Sequence, residues 1–392
     1  MTKILVNPFF VYILSFVIVL FFYSLGWSEL FPPITSSVIF FFAATFIIAS
    51  LFGMLVQHHK RIYYQPTPQN SNRSKFLLTG IVWVGYGMEF IYNKGIPLLM
   101  VFQGDLDYDY RLFGIPAFHV LLVTFNSFLA VYFFHQVVSR FSITGFIIFT
   151  ATILPSLLII NRGMLLMMLT ACLFIYVSSL KKIRWIQMIN LVVLLLIVFY
   201  FFGLLGNLRQ TGTWSSRYII EASKATPQFK DSIIPKKYFW TYLYVSSPLA
   251  NFQTTVNRVD SDRNSWAAFL NFEILPDFIS KRTAELAGLT KDSKPQVTDW
   301  LNASTFYTGS YVALGWLGVI LMFGFFLMTT VAYLFLLRRE SNFYGTGLAI
   351  LNTFVLYCTF DNMYAFSGLC LQLVYPLLFS YLRPSSRIQS AA

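Results

Sequence analysis

Residues 157–168 read LLIINRGMLLMM, and this stretch joins two apolar runs at 143–160 and 164–180. An α-helix needs roughly 20 apolar residues to cross the hydrocarbon of a bilayer, and each run comes close to that length. Only Asn161, Arg162 and Gly163 interrupt the apolar character between them. The stretch therefore predicts two membrane-spanning helices joined by a tight turn, with one arginine at their shared end.

The same alternation of apolar runs and polar connections extends along the chain. The other runs are 8–26, 34–56, 76–93, 115–136, 186–205, 309–336, 343–360 and 363–382, which makes ten predicted spans. Of the 392 residues, 57% are hydrophobic and 11% are charged, which excludes a soluble globular enzyme. We expect an all-α, polytopic membrane protein. Run 8–26 is too long for the core of a cleavable signal peptide.

Basic residues concentrate in connections that all fall on one predicted side of the membrane. They are Lys60, Arg61, Arg73, Lys75, Lys181, Lys182, Arg184, Arg338, Arg339, Arg383 and Arg387. The positive-inside rule makes that side, with both termini, cytoplasmic. Acids lie mainly on the other side: Glu29, Asp105, Asp107, Asp109 and Asp361. Because the net charge of +12 is sorted by side, it does not indicate a nucleic-acid partner.

The predicted organisation has three parts: spans 1–7 in residues 1–206, a large external loop in 207–308, and spans 8–10 with a cytoplasmic tail in 309–392. Long translocated loops escape the charge rule, so the twelve Lys/Arg and nine Asp/Glu of the loop are compatible with an external location. Its aromatic stretch YFWTYLYVSSPLANFQTTVN (238–257) predicts short helices at the membrane mouth, with a helix start at Ser246-Ser247-Pro248.

Glu89 is the only carboxylate that we place inside a predicted span, about 20 Å from the cytoplasmic end of that helix. An intramembrane acid is a functional candidate by default. The alternative is a structural pair with Lys94 or with an arginine from another span. Gly95-Ile96-Pro97 should end the helix just beyond Glu89.

The next connection reads DLDYDYRLFGIPAFH (105–119). Its three aspartates lack the glycine and terminal glutamate of a calcium loop, so a solvated acidic loop is favoured over a metal site. Its aromatic residues, including Tyr110, could stack on sugar rings. His119 is either a structural hydrogen-bonding group or a catalytic base. The three cysteines lie in apolar runs and form no disulfide or metal pattern, and we expect no cofactor.

Arginines near the external ends of spans form another candidate group. Arg162 either extends to lipid headgroups or binds an anion, since its guanidinium matches phosphate oxygens. In GLLGNLRQTGTW (203–214), the seventh span is predicted to end at Gly203–Gly206, followed by Arg209 and then by Arg217. Glycines there would let a backbone approach a ligand.

Several segments together resemble the Wzy-type O-antigen polymerases, the oligosaccharide repeat-unit polymerases of bacterial envelopes. The likeness covers essentially the whole chain in order. It is carried by NPFFVYILSFVIVLFFYSLGWSELFPP (7–33), Glu89 with GIPLLM (95–100), DYRLFGIPAFH (109–119), NRG (161–163), GNLRQ (206–210), YLYVSSPLANF (242–252) and GSYVALGWLGVIL (309–321).

The resemblance implies a GT-C-like fold in the bacterial inner membrane, with residues 207–308 as a periplasmic loop. A growing glycan on undecaprenyl pyrophosphate would be transferred to a hydroxyl of an incoming lipid-linked repeat unit. The partners would be these lipid-linked donor and acceptor glycans, membrane lipid and a chain-length-regulator protein.

The resemblance also implies roles for individual residues. The catalytic candidates are Glu89, His119, Arg162 and Arg209, with Glu89 preferred as the base and the arginines on the pyrophosphate. The substrate-binding candidates are Tyr110, Arg111, Arg217, Asn251 and Arg258. Three other functions stay open: an O-antigen ligase, which would transfer the glycan to lipid A-core, a flippase for lipid-linked oligosaccharides, and a structural membrane protein in which Glu89 and Arg162 are incidental.

Overall fold

A computed structural model describes residues 6–60, 62–103, 113–180, 184–260 and 264–382, and these ranges contain helices and no strand. In chain order the α-helices are α1 (Pro8–Ser24), α2 (Ser36–Lys60), α3 (Asn72–Tyr92), α4 (Pro97–Phe102), α5 (Phe118–Ser139), α6 (Ile143–Leu158), α7 (Arg162–Ser179), α8 (Trp185–Thr211), α9 (Arg217–Ala222), α10 (Pro227–Lys230), α11 (Phe239–Arg258), α12 (Trp266–Ala268), α13 (Asp277–Ala287), α14 (Thr308–Leu336), α15 (Tyr344–Tyr357), α16 (Ser367–Cys370) and α17 (Val374–Leu382). A 3-10 turn (Lys236–Tyr238) precedes α11, a π-helix (Phe269–Ile274) follows α12, and a second 3-10 turn (Leu371–Leu373) joins α16 to α17.

The all-helical class is confirmed, and each of the ten apolar runs lies on a helix, the tenth on α16, its 3-10 turn and α17 together. Five helices are long and apolar enough to cross a membrane, namely α2, α5, α7, α8 and α14. Shorter apolar helices lie at 8–24, 143–158 and 367–382. Large apolar side chains cover much of the outer surface, as on α8, which suits contact with lipid.

The centre of the bundle is α5, which is buried on most of its surface and packs against α6 and α7. Short connections at 140–142 and 159–161 make these three helices alternate in direction. The first residues of α5 and α7 therefore lie at one end of the bundle, together with the last residues of α3 and α6. We call this end, on which residues 212–260 and 264–307 also fold, the loop end, and the opposite one the far end.

The long segment is anchored to the loop end by α11. Its Tyr242 hydroxyl accepts a hydrogen bond from the Trp27 N–H at 3.0 Å, and its Gln253 Oε1 accepts one from the Thr35 N–H at 2.9 Å. An isolated bridge between Ser28 and Ala225 adds a further contact to the connection between α1 and α2. The segment is thus packed against the ends of the apolar helices.

The predicted helix start at Ser246-Ser247-Pro248 is wrong, because α11 begins at Phe239 and carries Pro248 in its interior. Its buried face continues across the proline, with Leu243 before it and Phe252 after it. This packing outweighs the local start signal. The segment therefore contributes one 20-residue helix beside its short ones.

The predicted end of the seventh span at Gly203–Gly206 is also wrong. Helix α8 continues to Thr211 and ends on Gly212, whose φ of +68° is the left-handed conformation that favours glycine. Gly203 and Gly206 serve close packing, since a Cβ at Gly203 would overlap the Lys237 carbonyl and one at Gly206 would lie 2.8 Å from the Trp240 ring. These glycines let the segment before α11 approach α8.

A pair of alanine substitutions tests this packing. We expect Gly203→Ala to destabilise the protein by about 1–3 kcal/mol, because the added methyl group would overlap backbone that cannot move aside. Gly80→Ala on α3 is the matched control, because no atom lies within 4 Å of a Cβ there. Alanine favours the helix at that site by roughly 0.5–1 kcal/mol. Thermal unfolding in detergent should show opposite shifts, and equal shifts would contradict the packing.

Candidate functional site

Glu89 and His119 form a hydrogen-bonded pair at the loop end. Glu89 lies in the last turn of α3 and is fully buried, while His119 is the second residue of α5. The His119 Nδ1 lies 3.0 Å from Glu89 Oε1 and 2.9 Å from Oε2. A carboxylate only accepts hydrogen bonds, so such a contact favours the imidazole tautomer that carries its proton on Nδ1. Glu89 thereby orients the His119 ring.

The backbone around the pair is arranged to hold the histidine ring. The Asn93 side chain donates to the Glu89 carbonyl at 2.8 Å and accepts from the Gly114 N–H at 3.3 Å. Gly114 has a φ of +98°, and a Cβ there would lie 2.5 Å from His119 Cγ. The ring of Phe113 packs edge-on against the imidazole at 5.7 Å. Only glycine at position 114 satisfies both the backbone angle and the approach to the ring.

The two side chains of the pair differ in exposure. The His119 side chain is 18% exposed, whereas Glu89 is 0% exposed. Within the part of the chain that the structure describes, Nε2 of His119 has no hydrogen-bond partner. A neutral imidazole held through Nδ1–H presents a lone pair on Nε2, so the arrangement can accept a proton from an incoming hydroxyl group. The pairing with Lys94 considered above is not formed, because Lys94 is exposed beyond the end of α3.

Arg162 begins α7 at the loop end. The Asn161 side chain caps this helix by accepting from the Met164 N–H at 3.1 Å. The Arg162 side chain is exposed and has no ion-pair partner among the described residues. Since α5 and α7 pack side by side and run in the same direction, His119 and Arg162 occupy the first turns of neighbouring helices.

The other candidate arginines lie at the loop end on separate elements. Arg209 is in the last turn of α8, and only its backbone position is described. Arg217 begins α9 and forms an exposed ion pair with Glu221, with 2.9 Å between Nε and Oε1. Arg258 ends α11 and is exposed. The exposed ion pair between Arg217 and Glu221 contributes little stability, so Arg217 is available to another anion.

Asn251 is occupied by structural contacts. It is fully buried in α11, and its side-chain amide donates to the carbonyls of Leu301 and Ala303 and accepts from the Val297 N–H. These bonds use both donor hydrogens and the carbonyl. We therefore assign Asn251 to holding residues 297–303, in place of the predicted substrate contact.

Part of the predicted site falls outside the described residues, namely Tyr110, Arg111 and the aspartates at 105, 107 and 109. Elsewhere, no group of three or more His, Cys, Asp or Glu side chains is placed to hold a metal ion within the described ranges.

A second charged cluster, which the sequence analysis missed, lies around Glu273 at the loop end. Glu273 is 3% exposed in the π-helix, and its Oε2 accepts from the Asn362 side chain at 2.9 Å. A Cβ at Gly309 would overlap the Glu273 carboxylate, so that glycine is required for the contact. Glu273, Lys294 and Gly309 line a cavity at this site. Lys294 interacts electrostatically with Glu273, Asp361 and Asp277.

Asp277 and Lys294 of this cluster have displaced pKa values. Burial raises the pKa of the Asp277 carboxyl, against nearby lysines that lower it. Burial alone would lower the pKa of the Lys294 ammonium group, but the carboxylates of Glu273, Asp361 and Asp277 outweigh it and raise that pKa. Lys294 therefore stays cationic inside an acidic setting. Such clusters in a cleft are typical of functional sites, and a π-helix at this position strengthens the indication.

Contacts between backbone segments connect this cluster to the neighbourhood of Arg162. The Asp277 N–H donates to the Ala365 carbonyl at 2.7 Å. Three residues on, Gly368 approaches the side chain of Met164 in the first turn of α7, since a Cβ there would lie 2.9 Å from its sulfur. Both charged groups thus lie on the same end of the molecule.

Comparisons with known proteins identify no relative: no family model, curated protein or solved structure matches this chain.

Proposed function

We propose that the protein is a Wzy-type oligosaccharide repeat-unit polymerase that spans the bacterial inner membrane ten times, with its loop end in the periplasm. It transfers a growing glycan from undecaprenyl pyrophosphate to a hydroxyl of a lipid-linked repeat unit. The observation that carries this proposal is the Glu89–His119 pair, in which Glu89 is buried and His119 is partly exposed on the end that also holds Arg162.

His119 supplies the base in this proposal, and Glu89 supports it. Our sequence-based preference for Glu89 as the base changes, because both of its oxygens contact Nδ1 and it has no exposed surface. Nε2 of His119 accepts the proton of the acceptor hydroxyl while that oxygen bonds to the anomeric carbon of the donor. The resulting imidazolium is stabilised by the Glu89 carboxylate.

The arginines act on the leaving group. As the bond between the anomeric carbon and the pyrophosphate oxygen breaks, negative charge grows on the pyrophosphate. Arg162 is exposed at the start of α7, where the first-turn N–H groups also favour an anion. Arg209, Arg217 and Arg258 lie on the same end and provide further positive charge. Donors held where charge develops are a major source of rate enhancement in group transfer.

The ligase is the nearest alternative, because it uses the same donor and the same chemistry on a different acceptor. A deletion strain distinguishes them in a lipopolysaccharide gel. We expect core carrying one repeat unit, because a single unit can still be attached while polymerisation is lost. Bare core would contradict the polymerase and support a ligase or an earlier step. A complete ladder would contradict both.

A further inference from the structure

A row of buried polar side chains runs along one face of α3, beneath the Glu89–His119 pair. Lys75, Thr79, Tyr86 and Glu89 are all buried there, at intervals of about one or two helical turns. From Lys75 to Glu89 the helix rises about 21 Å, which is most of the roughly 30 Å hydrocarbon thickness of a bilayer.

Helices α5 and α6 complete this row with Asn126. The Trp83 indole donates to the Ala151 carbonyl at 3.1 Å, which sets the register of α3 against α6. A Cβ at Gly85 would meet Leu122, which sets the register of α3 against α5. Asn126 lies four residues beyond Leu122, about 6 Å closer to the far end. It is therefore level with the interval between Thr79 and Tyr86.

Three polar atoms in this interval have no partner among the described residues, although the Asn126 amide group donates to the Thr152 carbonyl at 2.9 Å. The hydroxyls of Thr79 and Tyr86 and the carbonyl oxygen of Asn126 have no hydrogen bond among the described residues. The Tyr86 hydroxyl interacts with the Asn126 side chain, although without the geometry of a regular hydrogen bond, and lies within electrostatic range of Glu89. Further buried atoms without partners on α5 and α6 belong to Ser127, Gln136 and Ser156.

Bound water explains this pattern better than a dry interface. Burying a hydroxyl or an amide oxygen without a partner is costly, and native proteins resolve most such cases with ordered water. Buried water binds where polar groups without protein partners lie close together, and Tyr86 and Asn126 are neighbours here, with Thr79 two helical turns further along α3. A purely apolar interface would exclude water. The number of unpaired polar atoms on these three packed helices therefore favours bound water molecules.

Both ends of the row are connected to the surface of the bundle by polar contacts. At the far end, the Lys75 ammonium group donates to the Gln69 side chain at 2.6 Å, and Gln69 donates to the exposed Arg140 carbonyl at 2.9 Å. At the loop end, Glu89 contacts His119, which is partly exposed. Ionisable and polar side chains arranged in this way through a membrane are typical of proton relays.

We propose that the interface of α3, α5 and α6 binds a file of water molecules that conducts protons between the far end and the Glu89–His119 pair. Each step passes a proton from one water or side chain to the next, so no bond other than O–H or N–H bonds forms or breaks. The proposal goes beyond glycosyl transfer, which needs no such path, and it stands or falls separately from that function.

Proton flux into liposomes tests the path. The purified full-length chain is reconstituted with a trapped pH-sensitive dye, and a potassium gradient with valinomycin supplies the driving force. We expect faster internal pH change than in protein-free vesicles. Tyr86→Phe and Asn126→Leu should both return the flux to the protein-free level, because each removes a polar atom from the file and keeps the side chain's approximate volume.

Matched variants separate conduction from misfolding. Tyr333→Phe removes another buried hydroxyl without a described partner, on α14 away from this interface, and should leave the flux unchanged. Thr79→Val removes a hydroxyl from the file with little change of shape and should also abolish the flux. Wild-type flux equal to that of empty vesicles, or wild-type flux in Thr79→Val at equal protein incorporation, would overturn the proposal.

Discussion

Replacing His119 with alanine is expected to lower polymerisation by about 10²–10⁴-fold, the contribution typical of a positioned general base. The reason is the geometry of the pair, in which the His119 side chain is partly exposed while its partner Glu89 is fully buried. The measurement is the rate of chain extension by membranes that contain equal amounts of each variant.

Glu89→Gln should reduce the same rate by a smaller factor, because glutamine can still accept a hydrogen bond from Nδ1 but no longer stabilises the imidazolium by charge. The double variant should lose little beyond His119→Ala alone, since residues that act as a unit are not additive. His58→Ala is the matched control, because His58 is exposed near the far end of α2. Near-normal extension in His119→Ala would exclude the base assignment.

Replacing Arg162 with alanine is expected to lower polymerisation by about 10²–10³-fold, comparable with the loss of one electrostatic donor at a developing anion. The side chain is exposed at the start of α7 and makes no ion pair in the described structure, so alanine removes little packing. Arg162→Lys should restore only part of the rate, because lysine keeps the charge and loses the planar fork that matches phosphate oxygens.

Arg73→Ala provides the control for Arg162. Arg73 is also exposed in the first turn of a helix, but it lies at the far end of the bundle. The two alanine variants should insert equally, and only Arg162→Ala should shorten the glycan ladder. A normal ladder in Arg162→Ala at matched protein level would leave that arginine with a headgroup role alone.

Helix positions followed from the sequence because apolar runs dominate this chain. The run at 76–93 and the Gly95-Ile96-Pro97 break place Glu89 in the last turn of a helix, as the structure confirms. Its pairing with His119 could not be predicted. The two residues are 30 positions apart, and the contact depends on the positive φ of Gly114 and on how α5 packs against α3.

Sequence signals for helix starts and ends gave wrong predictions where tertiary packing determined the helix boundaries. Ser246-Ser247-Pro248 resembles a helix start, yet the buried face of α11 continues through it. Gly203 resembles a helix end, yet it is a contact point for the Lys237 carbonyl.

The structural roles of two polar residues also depend on contacts with distant parts of the chain. Asn251 resembled a ligand contact, and three backbone groups of residues 297–303 use its amide. Glu273 was missed because the groups around it, Gly309, Lys294 and Asn362, are spread over 90 positions of the chain, and no motif connects them.

Reconstitution of chain extension tests the central claim most directly. The purified protein in liposomes would receive the undecaprenyl-pyrophosphate-linked repeat unit as its only substrate, and the products would be separated by size. We predict polymers of several repeat units and release of one undecaprenyl pyrophosphate for each bond formed, with both lost in His119→Ala. Unchanged repeat units with the wild-type protein, under conditions where a known polymerase extends the same substrate, would contradict the proposed function.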